Sequence, residues 1–456
     1  MSENVPLYPK DTLNDGINVG QVKYLKEKFS INNNQDYPKQ SNQTKQHKIL
    51  INLKNESFKK DISYPVRLSS NERNCTDYLI QSINKFAFDI YKQTSSSAFE
   101  NVVISPLSLF YLFKVFYLTS TNKTEKELSK LLHLEEAKVN KDSLEKSFLV
   151  LIENLKNSIN NYKDLLGFKT GSKFELNSKA YVRDVFLQEN HLNMLKNTFK
   201  FDLNESTSNL ISKYEKVIES HEISKNDHFS KIDLFLILEN FIDFNFDWKV
   251  PFDVTIEKAV FTKSNNEKVK TELMLLKNLK FFYSKNPRGL PIRICEFPFR
   301  NENFAFTIIL PEVGSFLYIE SVLNFTLFNQ MVEEMKLTEV NSILPKFRIS
   351  ERSNLIKILQ NLNADSITNF DYREHGLCLD KAFYNCEINV GYNSVMGNSS
   401  TSLFLSRNSD DSKDPNLFVH SCEEFNCTNP FIFFIRDVKS KLIIQMGKLL
   451  VPTNVS

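Results

Sequence analysis

The sequence predicts an α+β fold, and three observations lead there. Apolar residues recur at helical spacing mainly in the first third of the chain. From Phe174 onward most apolar runs read as strands. Two further strand-like runs, Phe431 to Ile435 and Leu442 to Met446, close the chain. A stretch of small and polar residues from Gly391 to Pro430 precedes that last pair. It is far longer than the ~12–15 residues at which structureless loops become uncommon in compact domains. Tethered at both ends to apolar strands, it reads as a functional loop. Its first half, Ser394 to Ser406, carries no charge and no proline, so it suits a sheet as well as solvent.

Residues 1–72 are rich in Asn, Lys, Gln and Ser, with weak apolar periodicity, and read as a disordered low-complexity extension. Order is expected from residue 73 to 456. Tyr78, Ile80, Ile83, Phe86, Ala87 and Ile90 fall on a helical face. Val102 to Ile104 reads as a short strand. Pro106 then opens a helix in its tolerated first turn, with Ser105 placed to cap it. Thr124 to Leu132 is a second, short amphipathic helix, and helical patterns return at 143–157 and 189–198. Strand patterns run from Phe174 to Val182, from Leu234 to Phe246, and through most of 259–350. Leu355 to Leu362 reads as one more helix.

Composition excludes several function classes. With 57 basic and 55 acidic residues the net charge is only +2, so nucleic acid is not an expected partner. No apolar run approaches the roughly 20 residues of a membrane span. The first residues contain no signal-type apolar segment, which by itself predicts a cytoplasmic protein. Six cysteines are too sparse for a disulfide scaffold and are expected to be free thiols. There is no GxSxG, GxGxxG, phosphate-binding glycine loop or HExxH. No catalytic residue, metal or cofactor is therefore expected, and the chain does not read as an enzyme.

A set of short motifs in fixed order resembles the serpin family over about residues 73–456. They are Asn101-Val-Val-Ile-Ser-Pro-Leu-Ser108 and Thr124-Glu-Lys-Glu-Leu128, then Leu236-Ile-Leu-Glu-Asn240 and Phe244-Asn-Phe-Asp-Trp-Lys-Val-Pro-Phe252. Glu296-Phe-Pro-Phe299, Thr307-Ile-Ile-Leu-Pro311, Leu344-Pro-Lys-Phe347, Asn429-Pro-Phe-Ile-Phe-Phe-Ile435 and Met446-Gly447 complete the series. The resemblance implies a large central sheet, further sheets and about eight or nine helices. It also implies a metastable, monomeric inhibitor whose partner is a protease, of serine rather than cysteine type, and an extracellular setting. Such a protein is cut in an exposed reactive-centre loop, here about 391–424, whose first half then inserts into the central sheet. The alternative is a non-inhibitory serpin-fold protein used for binding, storage or chaperoning.

The resemblance also carries over particular positions. Lys381-Ala-Phe383 is similar to the family's run just before the loop. Counting from it puts the hinge at Ile388, Asn389, Val390, Gly391, Tyr392, Asn393 and Ser394. Acidic and glycine positions of inhibitory hinges thus become Ile388, Asn389, Val390 and Tyr392. A β-branched residue and a bulky ring are expected to enter a closed sheet more slowly than small residues. Ser105, Ser108, Asn240, Trp248 and Asp380 fall where the family supports and opens its sheet, Asp380 replacing a histidine. The family's hinge spacing places the scissile bond between Phe404 and Arg407. Arg407 is the first charge after Glu387, so Arg407–Asn408 is the candidate bond, with Lys413 second; counting back from Pro430 lands instead near Val419. Removing residues 1–72 by limited proteolysis is expected to leave the melting temperature within a few degrees, measured by differential scanning fluorimetry.

Overall fold

The computed structural model describes residues 70–452, apart from 96–99, 136–140, 164–170, 183–192, 205, 207, 209–235, 253, 363, 365–382 and 399–421. The predicted extension lies outside the described residues except for Ser70 to Glu72, which begin the first helix. The elements in chain order are α1 (Ser70–Thr94), β1 (Val102–Ile104), α2 (Pro106–Thr119), α3 (Asn122–Leu131), α4 (Lys141–Asn160), β2 (Lys173–Val182), β3 (Asp202–Asn204) and β4 (Leu236–Asp247). They continue with β5 (Val254–Thr262), β6 (Lys268–Lys285), β7 (Ile292–Pro298), β8 (Phe304–Pro311), α5 (Phe316–Val322), α6 (Phe325–Glu333), β9 (Lys336–Pro345), β10 (Phe347–Asn354) and α7 (Leu355–Asn361). The last are β11 (Phe383–Val390), β12 (Ser394–Asn398), β13 (Glu423–Asn426), β14 (Phe431–Asp437) and β15 (Ile443–Leu449). Of the helical pattern at 189–198, residues 189–192 lie outside the described residues, and Met194–Thr198 forms a π-helical turn.

Two sheets organise the chain. The nine-stranded one runs β1-β15-β14-β8-β7-β6-β9-β13, with β5 also paired to β6. Strands β8, β14 and β15 are buried along their whole length, polar Thr307, Arg436, Gln445 and Lys448 included. The six-stranded sheet runs β10-β11-β12-β4-β2-β3. Within the stretch read as one long loop, two segments are therefore strands: β12 in the six-stranded sheet and β13 in the nine-stranded one. Both are short, reading Ser-Val-Met-Gly-Asn and Glu-Glu-Phe-Asn, so neither carries the apolar run that marks a strand in sequence.

Helix α2 is apolar on nearly every side and lies in the core against β4 and β15. Pro106 takes its first position. Ser105 occupies the N-cap position in extended backbone but makes no side-chain cap; its Oγ donates instead to the carbonyl of Ile444, 3.3 Å away. One charge sits inside this apolar surround. Lys114 Nζ is fully buried, bonds the Glu145 carboxylate of α4, and lies 4.5 Å from the Phe148 ring centroid and 4.9 Å from that of Tyr111. Burial pulls the Lys114 pKa down, and Glu145 pulls it back up. Removing one partner of a buried pair strands the other. Glu145→Ala is therefore expected to cost about 3–5 kcal/mol, whereas Lys114→Met with Glu145→Leu recovers most of it, read by chemical denaturation.

Candidate functional site

The site grows out of the end of β4. Phe244, Phe246 and Trp248 alternate onto the core face and form an aromatic ladder. Phe244 and Phe246 ring centroids are 5.2 Å apart, Phe246 and Phe299 4.9 Å, and Trp248 and Phe299 5.1 Å. Phe252 meets the Trp248 ring edge-on at 5.5 Å. The ladder fixes the indole, and the indole faces the turn that leaves β11.

That turn is Gly391 to Ser394, closed by the Gly391 N–H donating to the Ser394 carbonyl at 3.1 Å. Its three successive carbonyls all accept from the 248–252 segment. Trp248 Nε1 donates to Gly391 O at 2.8 Å. The Phe252 N–H donates to Tyr392 O at 3.1 Å, and the Trp248 N–H to Asn393 O at 2.9 Å. The chain then reverses into β12, antiparallel to both neighbours. Val395 faces Val390 on β11 and Phe246 on β4; Asn398 faces Glu387 and Asp243. Strand period two turns Val395 and Gly397 inward and leaves Met396 46% exposed.

The hinge residues therefore divide. Ile388, Asn389 and Val390 are strand residues of β11, with Ile388 and Val390 fully buried. Gly391, Tyr392 and Asn393 make the turn, and Ser394 begins β12. Val390 belongs to an existing strand and Tyr392 to the turn, so neither side chain has to enter the space between β4 and β11. The residues that do so are small or flexible. Gly397 is required there: a Cβ on it would stand 2.2 Å from Phe244 Cζ and 2.8 Å from Gln445 Oε1.

Below Asn398 the sheet is parted. Among the described residues, Leu236 to Ile242 of β4 and Phe383 to Cys386 of β11 pair neither with each other nor with a strand between them. A polar cluster lies under this gap. Asn240 Nδ2 donates to Ser108 O at 3.2 Å and contacts Ser108 Oγ at 3.1 Å; Ser178 Oγ donates to Asn240 Oδ1 at 3.1 Å. The Ser105 N–H donates to the buried Tyr384 hydroxyl, whose pKa burial pushes far up. Burial likewise pushes the Cys386 thiol up to about 12; Gln445 Nε2 donates to its sulfur at 3.0 Å. A thiol so raised is no nucleophile at neutral pH. Asp380, Arg407, Asn408 and Lys413 lie outside the described residues.

Sequence reasoning brought Ser105, Ser108, Asn240 and Trp248 to this sheet but missed Ser178, Tyr384 and Gly397. Gly397 had a signal, a lone glycine inside an alternating segment, which marks close approach of another group. Ser178 and Tyr384 had none, since their partners are remote in sequence. Cys75, Cys295, Cys386, Cys422 and Cys427 are free thiols, and Cys378 lies outside the described residues. Among the described residues no group of three or more His, Cys, Asp or Glu is arranged to hold a metal, and no helix is long and apolar enough to cross a membrane.

The crowding at Gly397 gives a direct test. Gly397→Val is expected to expel β12 from the sheet, since overpacking of this kind costs about 1–3 kcal/mol. Limited proteolysis read by mass spectrometry checks this: cutting within 394–398 rises in the variant.

Comparison with known proteins agrees with this architecture. The family model for serpin (serine protease inhibitor) matches residues 81–452. Human Serpin B4 is 24% identical over 407 residues, covering 82% of this chain and 99% of its own. A serpin-like protein of Methanosarcina mazei is 23% identical over 415 residues, covering 87% and 92%. Among solved structures, human thyroxine-binding globulin matches with a TM-score of 0.65 at 17% identity, over 83% of this chain and 100% of its own. A loop-inserted, cleaved ovalbumin mutant matches with a TM-score of 0.65 at 18% identity, over 82% and 100%. The aromatic ladder ending at Trp248, the parted six-stranded sheet and the matched span together make this chain a member of the serpin family.

Proposed function

We propose that the chain inhibits a serine protease by being cut between β12 and β13 and drawing the upstream part of the cut segment into the gap between β4 and β11. One observation carries this reading: the length of the gap. Ser394 faces Asp247 and Asn398 faces Asp243. Continued in the same register, Ser399 would face Ile242 and Leu405 would face Leu236, the first residue of β4. Arg407 stands two residues past that point, where an attached protease would be carried to the far end of the sheet. The slot thus ends just short of the first charge in the loop.

Side-chain chemistry suits the same register. Thr401, Leu403 and Leu405 would follow Val395 and Gly397 onto the inner face, and none is charged. Ser400 would lie beside Asn385, whose buried Oδ1 has no hydrogen-bond partner among the described residues. Insertion supplies the open edges of β4 and β11 with a full ladder of backbone bonds. The uncut state then persists behind a kinetic barrier rather than at the free-energy minimum.

A second reading, a serpin-fold binding protein, rests on a different observation. A small cleft beside Trp248 is lined by Phe252, Phe281, Phe297 and Leu276, with Lys249, Lys280 and Glu302 among its other residues.

Incubation with trypsin separates the two. Inhibition by insertion predicts a complex that survives boiling in SDS, with the enzyme attached through Arg407, and Arg407→Ala loses at least tenfold of it. It also predicts that protein cut at Arg407–Asn408 melts at a markedly higher temperature than uncut protein. Cutting without a complex, but with the gain in melting temperature, means insertion too slow to trap: a barrier higher by about 1.4 kcal/mol slows it tenfold. Cutting without either result sinks the insertion reading.

A further inference from the structure

We infer that Tyr392 is a latch that holds the start of the loop inside the sheet before any bond is cut. Three separate parts of the chain converge on this residue, two on its side chain and one on its carbonyl. The Tyr392 hydroxyl donates to Glu272 Oε2 of β6 at 3.1 Å. Lys346, in the link between β9 and β10, places Nζ 5.4 Å from the Tyr392 ring centroid and 3.5 Å from the same Glu272 oxygen. The Lys346 N–H also donates to Glu272 O at 3.0 Å, so acid and base are fixed to each other through main chain as well. From the third side, the Phe252 N–H donates to the Tyr392 carbonyl.

The turn cannot leave without breaking these contacts together. Expelling β12 requires the carbonyls of Gly391, Tyr392 and Asn393 to give up their donors. It also requires the Tyr392 ring to leave Lys346 and its hydroxyl to leave Glu272. Those groups sit on β6 and beside β10, which belong to different sheets. Tyr392 therefore ties the hinge to a corner built from both sheets. A residue that looks too large for a hinge acts here as its anchor, outside the slot. Gly397 permits the strand to be in place, and Tyr392 sets how much of the time it is there.

This inference rests on reading the segment after β12 as the loop that is cut, and its test needs no inhibited protease. Thermolysin cuts before apolar residues and reports exposure of Val395 and Met396, site by site, through mass spectrometry. Tyr392→Phe keeps the ring and removes one hydrogen bond, so cutting at those two sites is expected to rise roughly two- to tenfold. Trp248 is the only tryptophan, and its emission is expected to shift as Gly391 O leaves the indole N–H. Glu272→Ala removes the same contact and the Lys346 pair besides, so it is expected to raise cutting at least as much as Tyr392→Phe, and the double variant to add little to Glu272→Ala alone. Glu272→Gln retains an acceptor and is expected to restore most of the protection. Unchanged cutting in Tyr392→Phe, or full additivity of the pair, overturns the latch. Absence of a protease complex with these effects intact counts against the inhibitory reading alone.

Discussion

Everything distinctive in this molecule follows from two strands that need a partner and do not supply it to each other. β4 and β11 lie one strand-width apart, and only Ser394 to Asn398 stands between them among the described residues. Backbone N–H and C=O groups removed from water must be paired, at a cost comparable to a lost hydrogen bond when they are not. A sheet parted along its middle therefore pulls on any segment that fits. Ser394 to Asn398 fits because it is uncharged, proline-free and, at Gly397, small where Phe244 crowds the slot.

The core is arranged so that the parting is tolerated. Helix α2 lies beneath the gap and presents Ser108 to Asn240, which Ser178 meets from β2. Tyr384, from β11, reaches the main chain at Ser105. These contacts give the polar atoms under the sheet partners that do not depend on a central strand. The nine-stranded sheet bears the stability: β14 lies between β8 and β15 and is buried from end to end.

Much of the fold was legible in the sequence, for particular reasons. The start of α2 was readable because Pro106 and the apolar run after it obey local rules. β14 was readable because Phe431 to Ile435 is a continuous apolar run, as strands buried on both faces tend to be, and β15 because Leu442 to Met446 is apolar but for Gln445. β12 was not, since its five residues owe their pairing to what surrounds them rather than to propensity. Counting along the hinge grouped Ile388 to Ser394 as one segment, whereas the structure divides them between strand, turn and new strand. Tyr392 looked like an obstacle because its partner Glu272 is 120 residues away and leaves no mark nearby.

The far end of the loop behaves differently from the near end. β13 runs parallel to β9, and the residues after it lead straight into β14 and β15, which lie inside the nine-stranded sheet between β1 and β8. A break in the loop leaves that C-terminal piece with every ladder bond and aromatic contact it had. Phe425 still meets Phe297 and Tyr283, and Phe434 still stacks on Phe328. Nicked protein is then two polypeptides in one particle: a single species by size under native conditions, resolved into two only when the fold is dismantled. Covalent continuity through the loop thus contributes little to holding the body together.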